Sequence, residues 1–246
     1  MKPITQQEIT DYIETNIQDF HQRRLDKLQK LKLLDVVKRK NPYLFKTKNI
    51  RTVPEFIKTI LDAHLSSQEE TIFGKFLEEL AIFICSQVYG GKKSAAEGID
   101  LEFERDNIRY IVSIKSGPNW GNSSQVKKLR DNFRKAKRIL HTNISSTNVV
   151  AVNGCCYGKD RKPDKGEYLK LCGQKFWEFI SGDHNLYTDI IEPLGHQAKE
   201  KKEQFREEYD KAINRLIFEF IPRFCDTEGN ILWAEIVKFN SANTTS

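Results

Sequence analysis

The residues best suited to chemistry are Asp100, in the stretch GIDLEF, and Lys115, in YIVSIKSGPNWGNSSQ. Each sits on a run that alternates apolar and polar side chains, Ile99 to Arg105 and Ile108 to Ser116, with Asp106-Asn107 between them as a turn. That pattern predicts a β-hairpin. Alternation puts Asp100, Glu102 and Glu104 on one face and Ile99, Leu101 and Phe103 on the other. A turn centred on Asp106-Asn107 pairs Ile99 with Ile114, Leu101 with Val112 and Phe103 with Tyr110, which buries the apolar residues together. The same register sets Asp100 across from Ser113, with Lys115 one diagonal step away, about 7–8 Å at the backbone. A pair so placed can hold Mg2+ through the carboxylate while the ammonium orients a water and offsets phosphate charge, the combination that phosphodiester hydrolysis requires. The plainer alternative is a cross-strand ion pair on a solvated face, the role expected of Glu104 and Arg109, contributing under about 1 kcal/mol.

The loop behind Lys115, SGPNWGNSSQ, has two glycines, a proline and small polar side chains. Its backbone can approach a ligand closely and its amides can meet phosphate oxygens. Asn119, Trp120, Asn122 and Ser123 are its candidate contacts to that ligand. Trp120 serves equally well as an anchor of the loop on the core, and Asn122 with Gln125 has the spacing of a helix-capping box. The helix that follows contains KKLRDNFRKAKR, seven Lys or Arg in twelve residues against one Asp. Such a run is usually a solvated face, but one that begins beside a phosphate site suits a DNA backbone, with Lys127, Lys128 and Arg130 nearest. Contacts of that kind position a duplex and read no bases.

Other elements must hold this hairpin in place. Residues 5 to about 40 predict a long helix with Ile9, Ile13 and Ile17 on one face, continued by HQRRLDKLQKLKLLDVVKRK with its eight Lys or Arg. The basic continuation can face DNA, or its leucines can serve helix packing or dimerisation. Asn41-Pro42 ends it. One helix is predicted from about Thr52, another from about 69 to 89 and another from about 124 to 140. Strands are predicted over 148–155 and in EYLKLCG, an aromatic helix in QKFWEFISG and a charged helical stretch over about 185–219, while NILWAEIVKF fits strand or helix. The expected fold class is α/β (α+β), a mixed central sheet flanked by helices. Residues 1–66 form an N-terminal helical region and 67–246 the core with a C-terminal helical extension, in one compact unit.

Composition narrows the function classes. The chain of 246 residues carries a net charge of +6, a mild bias toward a polyanionic partner. Its five cysteines include no CxxC pair, so they read as reduced thiols and suggest neither a disulfide framework nor a zinc ribbon. The histidines are scattered without an HExxH motif, and there is no P-loop pattern. No apolar targeting segment follows the first methionine and no run of about 18 apolar residues occurs, so a cytoplasmic protein without a membrane partner is expected.

GIDLEF followed by IVSIKSG resembles the core hairpin of the PD-(D/E)xK nuclease superfamily, in which an aspartate precedes a strand ending in (D/E)xK. NPYLF, FGKFLEELA, SIKSGPNWGNSSQ and GQKFWEF, in that order over residues 41–182, resemble Type II restriction endonucleases of the PmeII-like kind. The resemblance implies a restriction-endonuclease-like fold and Mg2+-dependent cleavage of double-stranded DNA at a short sequence, with Mn2+ as a substitute ion. It also implies a 5′-phosphate product, a homodimer and a companion DNA methyltransferase as a functional partner.

One position departs from the motif. Ser113 stands where the superfamily has Asp or Glu, and a serine brings no negative charge to a hard cation. Either the site is inactive or the second carboxylate comes from elsewhere. Relatives that draw it from a neighbouring helix direct attention to Glu78 and Glu79 in FGKFLEELAIF. Helical spacing groups Glu79 with Phe76, Leu80 and Phe83, so Glu79 is expected to face the sheet and hold metal with Asp100, Glu78 pointing to the side. The Ile114 backbone carbonyl is a further candidate ligand, and Glu97 and Ser113 are reserves. Two rivals remain: a non-catalytic DNA-binding protein on the same fold, and a structure-selective nuclease such as a junction resolvase.

Overall fold

Asp106 and Asn107 both take positive φ, 54° and 60°, the geometry of the two-residue type I′ turn that matches the twist of its strands. The turn joins β2 (Leu101–Arg105) to β3 (Ile108–Lys115), and the pairing is as expected from the sequence: Leu101 with Val112, Phe103 with Tyr110, Glu104 with Arg109. One pair is a correction. The Asp100 N–H donates to Val112 O at 2.8 Å, although Val112 already faces Leu101. Two residues thus oppose one, the alternation slips as it does in a β-bulge, and Ile99 packs with Ile111 on the far face instead of pairing with Ile114.

The computed structural model describes residues 3–143 and 148–243. Its sheet has the order β1-β2-β3-β4-β5, with β1 (Lys92–Lys93) antiparallel to β2 and with β4 (Asn148–Cys155) and β5 (Leu169–Cys172) parallel to β3. Parallel neighbours need a crossover, and α5 (Ser123–Asn143) supplies it. Its Leu129, Phe133 and Ala136, at four- and three-residue spacing, are buried on Ile111, Val149 and Ala151. On the opposite face Phe103 and Tyr110 pack with Tyr89 and with Phe179 of α6 (Gln174–Ser181), ring centroids 5.0–5.4 Å apart. There Phe176 presses on Gly154 so closely that a Cβ would come within 2.1 Å of its ring. The architecture is the expected α+β mixed sheet flanked by helices.

The helices differ in detail from the sequence pattern. The long N-terminal helix is interrupted into α1 (Gln6–Gln29) and α2 (Leu33–Arg39). Asn41-Pro42, expected as a stop, is also a start: the Asn41 Oδ1 accepts from the N–H groups of Tyr43 and Leu44 at 3.0 and 3.3 Å and opens α3 (Pro42–Thr47). The two helices expected after Thr52 are one, α4 (Val53–Tyr89), 37 residues long. The polar segment between them holds neither glycine nor proline, and the Ser67 and Thr71 hydroxyls bond back to carbonyls one turn earlier at 3.1 and 3.0 Å, so nothing breaks the ladder.

The chain forms two compact units, one comprising the chain up to Gln18 with Phe73–His196, the other Asp19–Ile72 with the chain from Gln197. The first holds the sheet, with the short helices α7 (Leu186–Asp189) and α8 (Ile191–Leu194). The second is helical and includes α9 (Ala198–Phe224) and α10 (Trp233–Ser241), which the sequence placed in the extension of the core. Within it the leucines of the basic segment serve packing: Leu28, Leu31 and Leu33 are buried with Phe56, Ile60, Leu216 and Phe220. All five cysteines are free thiols, and no described helix is long and apolar enough to cross a membrane.

Candidate active site

Asp100 and Lys115 meet at the end of the hairpin. The Asp100 Oδ2 accepts from the Ile114 N–H at 2.6 Å and from the Ser113 hydroxyl at 3.3 Å, and it lies 3.9 Å from the Lys115 ammonium. The carboxylate takes a backbone donor where β2 has already ended, which explains why it is held tightly while only partly buried. Lys115 in turn donates to the Ile114 carbonyl at 3.0 Å and sits 5.5 Å from the centroid of the Trp120 ring. An ammonium over an aromatic face is attracted by the ring quadrupole. The Ile114 carbonyl, expected as a metal ligand, is therefore occupied by Lys115.

The glutamate of α4 on the Asp100 side is Glu78. Expectation and structure part here. Glu79 is exposed and faces Lys75 at 3.6 Å and the phenol of Tyr12. Its neighbour Phe83 stacks on Tyr12 with centroids 4.0 Å apart, so the Phe83–Glu79 face of α4 packs on α1 and not on the sheet. Gly74 marks the sheet-facing side: a Cβ there would lie 3.5 Å from the Cβ of Ser116, at the end of β3. Glu78 follows one turn later, with Ala81 and Cys85 fully buried along the same stripe. Burial raises the Glu78 pKa and the Asp100 carboxylate raises it further, against the pull of Lys93 and Lys115. Beyond β4, the Cys156 thiol is pushed up to about 12 by burial and by the same Glu78 charge. Glu78 thus approaches the ends of β3 and β4, where Asp100 and Lys115 are.

A hard divalent cation fits this arrangement on one observation. Glu78 is half-buried, its nearest ion-pair partner, Lys93, is 3.9 Å away, and Asp100 repels it. Two carboxylates held near each other are stabilised by a cation between them, and here the lysines that offset them stand at 3.9 Å. Among the described residues no group of three or more His, Cys, Asp or Glu could hold a metal ion, but Mg2+ keeps several of its waters and is commonly bound through one or two carboxylates. Glu97 is not in this cluster; it lies with Lys128 and Lys135 of α5 at 3.7 and 3.6 Å. Ser113 is fully buried and serves as a donor to Asp100.

The glycine-rich loop is fastened from below. The Trp120 indole N–H donates to Asn153 Oδ1 at 3.1 Å, and the Asn153 amide donates to Ser113 O at 3.1 Å. Lys170 donates to Pro118 O at 2.7 Å. Trp120 is therefore the loop's anchor on the sheet. Asn153 escaped notice in the sequence, yet the signal was there: an amide inside the apolar run NVVAVNGC must find partners when buried. Tyr157 is the other residue overlooked. Hydrogen bonds from the Cys156 and Tyr157 N–H groups to Lys115 O and Ser116 O, at 3.0 and 3.1 Å, carry it alongside the site. Its ring lies across Gly117, where a Cβ would come within 2.3 Å, and remains 58% exposed. Asn122 caps α5 as its spacing predicted, accepting from the Gln125 N–H at 3.1 Å while Gln125 accepts from the Asn122 N–H at 2.9 Å. Asn119, Ser123, Lys127, Lys128 and Arg130 are all exposed around that helix start.

No curated protein matches the chain. Residues 7–202 match the family model of the Type II restriction endonuclease EcoO109I, a span that runs from α1 through the hairpin, the loop and α6. The match supports a restriction endonuclease of the PD-(D/E)xK type and does not support the PmeII-like kind that the four sequence blocks resembled. Such an enzyme is a DNA hydrolase, which is the chemistry an aspartate, a lysine and a half-buried glutamate at the end of a hairpin can serve. On this match, which covers most of its length, the chain belongs to the Type II restriction endonuclease EcoO109I family.

Proposed function

We propose that the chain cleaves double-stranded DNA at a specific site with Mg2+, that Asp100 and Glu78 hold the ion, and that Lys115 places the attacking water. The supporting observation is the half-buried Glu78 carboxylate set against Asp100. When bound, Mg2+ would act as a Lewis acid toward the phosphodiester, Mn2+ substituting for it. Lys115, braced by Ile114 O and Asp100, turns its remaining protons toward the water and the charged phosphate oxygens. Attack in line with the leaving 3′-oxygen gives a 5′-phosphate. The Trp120–Asn153 bond keeps the loop from swinging off Lys115, while Asn119, Ser123, Lys127, Lys128 and Arg130 meet the backbone.

A homodimer suits the 82% exposed Phe218 on α9, a side chain that an interface would cover, and the helical unit serves DNA contact or dimerisation. A companion methyltransferase would protect the host, and both would act in the cytoplasm.

Plasmid cleavage in Mg2+, Mn2+ and EDTA by the wild type, Asp100→Ala and Lys115→Ala tests the proposal. Undiminished cutting by either variant overturns the site. Ser113, fully buried where the motif has a carboxylate, favours a second reading, a non-catalytic DNA-binding protein; specific binding without cleavage under any divalent ion would establish it. A junction resolvase would yield no discrete fragments from linear duplexes.

A further inference from the structure

The helical unit carries a hollow of about 490 Å3 between α1, α2 and α4. Lys27 reaches it from α1, Lys30 from the turn just after α1 and Arg39 from α2. Among the described residues these three enter no ion pair, whereas Arg23 on the same rim is paired with Asp19 at 2.7 Å. Of the two carboxylates that line the hollow, Asp26 is engaged by the Gln22 amide at 2.8 Å and Asp35 stands in the first turn of α2. His64 lies beneath them, only 5% exposed. Its Nε2 meets the side-chain amide of Gln68. Burial lowers the His64 pKa, and Lys40, Arg39 and Lys27 lower it further against Asp35 alone, so the potential at that depth is positive. A solvated basic face would be convex and dispersed; here three cations outside any ion pair, against two carboxylates, converge over a buried imidazole.

We propose that this hollow is a phosphate-binding site that grips a backbone phosphodiester of duplex DNA, a sequence-independent contact supplied by the helical unit. The proposal rests on DNA being the substrate and is separate from the cleavage site. Three unpaired cations suit the tetrahedral, doubly accepting oxygens of a phosphate, and each phosphate neutralised releases counterions.

The test is fluorescence anisotropy in EDTA with two labelled duplexes of unrelated sequence, comparing the wild type, Lys27→Gln, Lys30→Gln, Arg39→Gln and the triple variant over a range of NaCl. All three side chains are exposed, so the substitutions leave Tm unchanged. The triple variant should lose about tenfold or more in affinity on both duplexes, with a salt slope lower by about one unit. An unchanged slope, or a loss on one sequence only, overturns the proposal. Inorganic phosphate is the second arm: if it shifts the His64 ring resonances at millimolar concentration and saturating duplex does not, the hollow takes a free anion and the DNA assignment fails. Asp100→Asn separates the two readings, since it should lose cleavage and keep the full salt slope.

Discussion

The two ends of one hairpin show what distinguishes an ion pair from a reactive site. Near the turn, Glu102 accepts from Arg109 at 2.8 Å and from the Ser94 hydroxyl, and Glu104 adds a weaker partner to Arg109 at 3.7 Å. Burial alone would raise the Glu102 pKa, but these hydrogen bonds and the Arg109 charge bring it below the usual glutamate range. At the open end, past the bulge, Asp100 and Lys115 stand 3.9 Å apart, with Glu78 pushed the other way by burial and by Asp100. One end is satisfied and the other is left under-compensated. A half-buried carboxylate whose ion-pair partner is as far as 3.9 Å costs the fold more than one hydrogen-bonded at close range.

That contrast can be broken from its strongest side. Asp100→Asn keeps an acceptor for the Ile114 N–H, and Lys115→Met keeps the length of the side chain; each should cut the cleavage rate on the order of 10^2–10^3-fold with far-UV circular dichroism unchanged. Glu78→Gln should cost about 10^2-fold and Glu79→Gln almost nothing in the same plasmid assay; the reverse order would return the role to the exposed face of α4. At the satisfied end, Glu102→Gln should leave cleavage intact but destabilise the protein by about 1–3 kcal/mol in urea melts at neutral pH, because Arg109 loses a charged partner. A folded-state pKa below the usual one stabilises above the unfolded value and is lost as pH falls through the folded value, so this cost should vanish in acid.

The smallest effect has the opposite sign. A raised pKa favours the fold at low pH, and that contribution is lost as pH rises through the raised value. Glu78→Gln should therefore raise Tm in EDTA at neutral pH, by up to about 3 °C, and Mg2+ should raise the wild-type Tm more than that of the variant. Differential scanning fluorimetry with and without Mg2+ reads both; a drop in Tm for Glu78→Gln would make the two ends of the hairpin alike.

The hairpin was legible because its signals agree: strict alternation, a turn of two residues that tolerate positive φ, and an apolar register that admits one solution. The slip at Asp100 was not, since a bulge leaves no trace in alternation. Glu78 was misjudged for a different reason. Leu80, Ala81, Ile84 and Cys85 are all fully buried, so α4 is covered on more than one side and its large apolar residues do not say which side meets the sheet. The small ones do: a Cβ on Gly74 would lie 3.5 Å from Ser116, and the Cys85 thiol lies against Gly91. The length of α4 was hidden by a polar segment that lacks any glycine or proline to stop a helix and whose serine and threonine hydroxyls are satisfied by carbonyls one turn earlier.

The short bond from the Ile114 N–H to Asp100, 2.6 Å, makes that amide a built-in indicator. An amide proton bonded to a full negative charge resonates far downfield, and its position should move when the carboxylate gains a proton or shares its charge with an ion. A single backbone resonance could thus follow acid titration and ion loading in solution, with no DNA present and no bond cut.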